Sequence, residues 1–351
     1  MLNEILNKSL ETGDLTREEI LRLLAITDPD EKSRLTETSN AVREKYCGAE
    51  VYLRGLIEFS DHCRRNCNYC GVRAGNTCAH RYRIPPDEIV KTAKGIAENT
   101  PIKTVVLQSG EDLWYTKDIL ADIIRRIKSE TDLAVTLGVG EREYDEYKAW
   151  REAGADRFLL RHEAANRELY KSLHPDSDYD NRMNCLRQLR ELGYQVGAGA
   201  MVGAPGQTLE HIADDIEFYK TFKPDMIGIG PFISHPDTPY KGAASGTAEL
   251  TLNVVAVTRI VTRTALLPAT TAIGSIDPMG REKALMAGAD VMMPNYTPYK
   301  YRAMYEIYPD KKCFTETVDH NLSDAIARIL SVGRVFKGGY GHARRIADGD
   351  S

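Results

Sequence analysis

The stretch FSDHCRRNCNYCGVRAG places Cys63, Cys67 and Cys70 within eight residues. Seven cysteines occur in the whole chain, so a C-x3-C-x2-C spacing concentrates nearly half of them in one loop. Three thiolates spaced this way can hold three corners of a cubane 4Fe–4S cluster and leave the fourth iron open to a small molecule. A structural zinc site completed by Cys78 or His80 is the second reading. Zinc modules usually bring two paired-ligand knuckles, and no second C-x2-C pair exists here. Buried thiols without a ligand are the third reading, set against the polar neighbours Arg64, Arg65, Asn66 and Asn68.

Those cysteines need a scaffold. Residues 1–50 read as a helical extension, with a capping box at Thr16 and Glu19. From residue 51 short apolar runs alternate with amphipathic helical stretches. The runs are 51–59, 103–109, 133–139, 156–163, 195–202, 225–232, 266–273 and 290–295. Eight strands, each followed by a crossover, predict an α/β fold of the complete (β/α)8 barrel type over 51–310. A doubly wound open sheet is the alternative. Residues 311–351 read as a last helix and a loosely ordered tail. In a barrel the cysteine loop, leaving the first strand, lies at the C-terminal face where chemistry is done.

Within that scaffold the run DRFLLRHE carries further chemistry. Alternation along a strand puts Arg157, Leu159, Arg161 and Glu163 on one face, and Phe158 and Leu160 on the other. The apolar face suits helix packing, so the charged face looks into the barrel. Two inward guanidiniums are costly unless paired with carboxylates or facing a bound anion. Both readings stand: an internal ion pair, or an anionic substrate held by Arg157 and Arg161. Gly197 and Gly199, and likewise Gly228 and Gly230, alternate on their strands and predict a roomy lumen, or else close packing. Thr270 and Thr271 both reach that lumen only if their strand bulges or ends there. Met292 and Met293 follow on the last strand, as core filler or as an apolar wall.

The totals narrow the function class. A net charge of −5 provides no polybasic footprint, which argues against nucleic acid or an acidic membrane as the main partner. No apolar run approaches the roughly 18 residues of a membrane span. With no signal-like N-terminus and an odd number of cysteines, a cytoplasmic, reduced protein is expected.

The cysteine loop resembles the signature of the radical S-adenosylmethionine (SAM) superfamily, C-x3-C-x-aromatic-C after the first barrel strand. The resemblance implies an enzyme with a three-cysteine 4Fe–4S cluster whose open iron binds SAM. Reduction then splits the sulfonium into methionine and a 5′-deoxyadenosyl radical. It places Tyr69 near the adenine and makes Ser109, Gly110 and Glu111 a GGE-like turn that meets the ammonium of SAM. It also assigns Glu163, Arg182, Thr136 and Met201 to the cofactor, Arg182 as a carboxylate clamp.

Longer stretches resemble one branch, the HydE-type maturases of iron–iron hydrogenase. They include VLQSGED, AGADRFLLRHEAAN, GIGPFISHPDTP, PATTAIGS and ADVMMPNYTP. That likeness implies a substrate made of iron with carbonyl, cyanide and cysteine ligands. Arg157, Arg161, Thr270, Thr271, Met293 and Tyr305 would face it. Implied partners are a synthase and a scaffold maturase, with ferredoxin or flavodoxin as electron donor. Methylornithine synthase and biotin synthase are related activities on a carbon substrate, and a zinc-stabilised binding protein is the reading from a different class. Some branch members carry a second cluster on C-terminal cysteines. Here that region has Cys313 alone, so no second cluster is expected. Cys47, Cys78, Cys185 and Cys313 read as packing or incidental thiols.

Overall fold

The computed structural model describes residues 2–309 and 318–344. Its strands are β1 (Glu50–Leu53), β2 (Gly55–Ser60), β3 (Thr104–Ser109), β4 (Ala134–Gly138), β5 (Arg157–Leu159), β6 (Gln195–Val202), β7 (Met226–Pro231), β8 (Val291–Met292) and β9 (Val335–Lys337). Strands β2 to β7 form one parallel six-stranded sheet in sequential order. That order lacks the reversal of a doubly wound sheet and follows the path of a barrel wall. Both faces are covered, so β2 and β7 are buried at every residue.

Among the described residues the eight predicted runs do not each form one regular strand. The first predicted run breaks at Arg54 into β1 and β2. The seventh, 266–273, forms no strand. It makes single parallel bridges, Met226↔Leu266 and Pro268↔Val291, and then turns into the helix Thr271–Ile276. Pro268 has no N–H with which to continue a ladder. The eighth run is cut to two residues in a second sheet of order β8-β1-β9, and Asn295 bridges back to Leu56 of β2.

The tail differs most from expectation. Residues 335–337 pair in parallel with β1 as β9, and Gly339 bridges Ile102. The Tyr340 carbonyl accepts hydrogen bonds from Thr104 and Arg157, and the Gly341 carbonyl accepts one from Arg54. Buried guanidiniums need acceptors, and this backbone supplies them. Cys313 lies outside the described residues.

The N-terminal helices Leu2–Glu11, Arg17–Leu24 and Pro29–Cys47 pack on the helices Leu209–Phe222 and Ala248–Thr262. Their capping box forms as read: Thr16 N–H donates to Glu19 and Glu19 N–H to the Thr16 hydroxyl. Asn253 joins the two layers by donating to the carbonyls of Leu24 and Ile26. Among the described residues no helix is long and apolar enough to cross a membrane.

Candidate active site

The cysteine loop leaves the C-terminal end of β2 and is pinned from every side. The Arg81 guanidinium donates to the carbonyls of Asp61, Val72, Arg73 and Asn76, so the loop winds around one cation. Asn68 N–H donates to the Leu173 carbonyl and its side chain to Ser172, while Asn66 N–H donates to Asp176. Tyr69 packs against the apolar cluster that includes Leu169, Met201 and Phe232 and touches His174 with its hydroxyl. Two residues expected near the cofactor, Tyr69 and Met201, therefore share one apolar cluster.

All three thiols are held toward the protonated form. Burial is the main cause for each. For Cys67 the neighbouring Cys70 and Cys63 come next, and Cys70 is pushed up to about 12. A cationic centre bound between them would reverse that preference, because metal-bound thiols are deprotonated. The Cys63 sulfur already accepts N–H bonds from Arg65 and Glu111. Cys78 and His80, the partners a zinc reading needs, are exposed. Among the described residues no three His, Cys, Asp or Glu side chains converge on a point that a single metal ion could occupy.

The turn after β3 serves this loop directly. A Cβ at Gly110 would stand 2.3 Å from the His62 carbonyl oxygen and 2.8 Å from Cys63 Cβ. Glycine is required there because the cysteine loop lies against the turn. The Ser109 hydroxyl donates to the Gly110 carbonyl. The Glu111 carboxylate is engaged within the protein: it accepts from Arg64 and Arg65 at 3.0 and 2.7 Å and from Glu141 N–H at 2.9 Å. Arg182 donates to Glu141 at 2.6 Å and to the Arg161 carbonyl. Glu141 also receives Arg65 and Asn181, which makes it the hub of the network. Reading the sequence missed it, although its place just past β4 is where barrel chemistry is expected. His174 gave no spacing signal at all.

Arg161 and Glu163 follow the C-terminal end of β5. Arg161 Nη2 lies 3.0 Å from Glu163 Oε2, but the two are not aligned as a hydrogen bond. Beyond that ion pair, Arg161 Nε and Nη2 and Glu163 Oε2 are buried without a hydrogen bond, as is Thr270 Oγ1 over Gly230; Thr136 Oγ1 is likewise unmet, but its residue pairs in register with Arg157. Native interiors rarely leave such groups unmet, so Arg161 and Glu163 fit a polar ligand. Met293 and Thr271 are half-buried, and Tyr305 is buried with Gln108 donating to its hydroxyl at 3.4 Å. The predicted room is only partly there. The spaces over Gly228 and Gly230 are taken by Arg161 and Thr270. Those at Gly197 and Gly199 are filled by Leu159, Met226 and the Gly228 backbone. Thr270 reaches inward because its strand ends, as one of the two alternatives required.

Arg157 is not brought together with these residues. Its side chain donates to Thr104, Gln195 and the Tyr340 carbonyl, and contacts His342 at 2.8 Å. All of these lie at the start of strands or in the C-terminal segment, at the opposite end of the sheet from the cysteines.

Comparison with known proteins agrees with this geometry. Residues 57–219 match the radical SAM superfamily. The [FeFe] hydrogenase maturase subunit HydE of Thermotoga maritima is 47% identical over 343 residues, covering 98% of both chains. The 3-methylornithine synthase of Methanosarcina acetivorans is 27% identical over 93% of this chain and 91% of its own. A crystal structure of methylornithine synthase superposes with a TM-score of 0.83 at 24% identity, covering 95% of this chain and 97% of the other. That superfamily implies a 4Fe–4S cluster and SAM as cofactors. Full-length identity of this degree, added to the site just described, places the chain in the HydE family of [FeFe]-hydrogenase maturases, a branch of the radical SAM enzymes.

Proposed function

We propose that Cys63, Cys67 and Cys70 ligate the 4Fe–4S cluster and that the lumen beneath it binds SAM and then an iron complex carrying carbonyl, cyanide and cysteine ligands. The observation that carries this reading is the pinned thiol loop close to Glu163, whose buried Oε2, like Arg161 Nε and Nη2, makes no hydrogen bond. Bound together, cluster and SAM supply a 5′-deoxyadenosyl radical; the chain's part is to hold, orient and exclude water. Tyr69 and Met201 form the apolar wall for the adenosine. Ser109, Gly110 and Glu111 contribute backbone to the ammonium end, and the Glu111 carboxylate stiffens the loop. Arg182 orients the carboxylate end while anchored on Glu141. Thr136 and Glu163 offer the polar atoms left unmet.

Toward the substrate we assign Arg161, Thr270, Thr271, Met293 and Tyr305. Arg157 is assigned to the floor of the lumen, for the hydrogen bonds given above. We also propose that the wall closes into a barrel through the single bridges at Leu266, Pro268 and Asn295. The helical extension (1–50), barrel (51–310) and C-terminal segment (311–351) then act as one cytoplasmic enzyme. A synthase supplies its substrate, a scaffold maturase takes its product, and ferredoxin or flavodoxin delivers the electron.

Anaerobic reconstitution tests the core of this reading. Cys67→Ala is expected to bind no cubane and to release no 5′-deoxyadenosine; release by that variant would overturn the assignment. Arg161→Ala is expected to keep uncoupled SAM cleavage and to lose affinity for the iron–cysteine complex. The likeness to methylornithine synthase supports a second reading, an amino-acid substrate. Hydrogen abstraction from an amino acid in place of the iron complex would select it.

A further inference from the structure

Three described residues other than glycine have positive φ, and Glu163 is the one in the site, at 64°. A left-handed conformation costs a residue with a side chain roughly 1–2 kcal/mol, and it persists only where the surroundings enforce it. The enforcing contacts lie on the other side of the wall. His162, next to Glu163, points outward and is fully buried. Its Nε2 sits 3.0 Å from Oδ1 of Asp215 on the helix Leu209–Phe222. Gly199 N–H donates to His162 Nδ1, which leaves the imidazole proton on Nε2 to be given to Asp215.

The same Asp215 oxygen accepts the N–H of Ala165 at 2.7 Å. One carboxylate oxygen therefore holds both flanks of the two residues 163 and 164. Gly199 completes the frame, because its carbonyl accepts the Glu163 N–H at 2.9 Å while its own N–H serves His162. Phe218 and Tyr219 pack on the imidazole and keep water from competing.

We propose that His162 and Asp215 are positioning residues: they staple the turn after β5 so that Glu163 is held left-handed and its carboxylate faces the cofactor beside Arg161. The proposal rests on the reading of Glu163 as a SAM contact. An ordinary buried pair would contribute stability alone. A staple acting through Glu163 must instead show coupling to it.

The test is a double-mutant cycle on cluster-loaded enzyme, with SAM binding followed spectroscopically and the unloaded chain followed by crystallography. Glu163→Gln is expected to weaken SAM binding about tenfold, the scale of one charged contact. Asp215→Ala is expected to weaken it to a similar extent, and the double variant no further than Glu163→Gln alone. Asp215→Asn keeps an oxygen for both donors and is expected to stay within about threefold of the parent. In the unloaded Asp215→Ala crystal structure, Glu163 is expected to leave the left-handed region. Should that variant not fold, His162→Asn carries the same cycle, since it removes the donor to Asp215. Independent, multiplying losses, or an unchanged Glu163 backbone, would overturn the staple and leave the cofactor role of Glu163 standing. SAM binding untouched by Glu163→Gln would instead overturn the cofactor role on which the proposal rests.

Discussion

The Tyr69 hydroxyl lies 3.0 Å from His174 Nε2, and this contact ties the cysteine loop to the end of the helix Arg167–Leu173. His174 Nδ1 stands 3.1 Å from the Tyr170 carbonyl, which can only accept. The imidazole proton therefore sits on Nδ1, and Tyr69 donates to the free Nε2. Burial above all, and Arg182 next, pushes His174 down to about 3. The aromatic residue of the C-x3-C-x-aromatic-C loop is thus held by a histidine that must stay neutral.

That neutrality predicts an acid-sensitive fold. In the unfolded chain His174 takes a proton near its ordinary 6.5, and in the folded chain it does not until about 3. The unfolded state binds more protons between those values, so stability falls as pH falls through that window. From pH 7 to pH 5 the loss attributable to His174 is about 2 kcal/mol. Asp61, raised to about 6 chiefly by burial, acts in the opposite sense. Comparison of cluster-free parent with His174→Gln cancels it. Urea unfolding at both pH values is expected to show the difference; identical pH dependence in parent and variant would contradict the tautomer and the burial argument.

Gly110→Ala is expected to expel the cluster before it unfolds the chain. The new methyl group would meet the His62 carbonyl and Cys63 Cβ well inside contact distance. Neither is the far end of a flexible side chain, so the cysteine loop must move. Overpacking of this kind costs about 1–3 kcal/mol. Iron and sulfide content after anaerobic reconstitution, set beside the melting temperature, separates the outcomes. Full cluster occupancy would show that the loop does not need this close approach.

Arg81→Gln probes the same loop from its centre. Four carbonyls lose their shared donor, and a glutamine amide can serve only one or two of them. A cost of about 2 kcal/mol or more follows from leaving polar groups half-met. Hydrogen exchange is expected to speed up across 61–76 and to stay unchanged in the helix Ala248–Thr262. Uniform change across the chain would mean that Arg81 supports the whole fold and has no special hold on the loop.

What the sequence revealed divides along physical lines. Cys63, Cys67 and Cys70 drew attention because their spacing is local, and the fold gathers them in one loop at the end of β2. Phe158 and Leu160 were legible because strand alternation separates helix-packing residues from lumen residues. Run seven forms no regular strand because apolar content cannot tell a strand from two isolated bridges, one of them made by Pro268 itself. Gly110 has a further reason to be glycine that the sequence did not show: it yields to the cysteine loop, which only the folded turn reveals. Glu141, His174 and Asp215 act across long separations in the chain, and no periodicity records a contact between residue 65 and residue 141.

Arg157 exposes the same limit and supports the last prediction. Alternation correctly turned it inward, but an inward arginine can meet a ligand or another part of the chain, and here it meets the C-terminal segment. Burial lowers its guanidinium to about 10, so the charge is held at a cost that the Tyr340 carbonyl and its other acceptors only partly offset. Replacing a buried cation by an apolar side chain of similar length can be nearly neutral for stability. Arg157→Met is therefore expected to leave the melting temperature within a few degrees and to free the segment after Lys337. Limited proteolysis reads that release directly, and SAM affinity is expected to stay unchanged. Deleting residues 338–351 is likewise expected to leave SAM affinity unchanged, with nothing added by the substitution in the shortened chain. A variant that kept its C-terminal segment protected but lost affinity for the iron complex would return Arg157 to the substrate site.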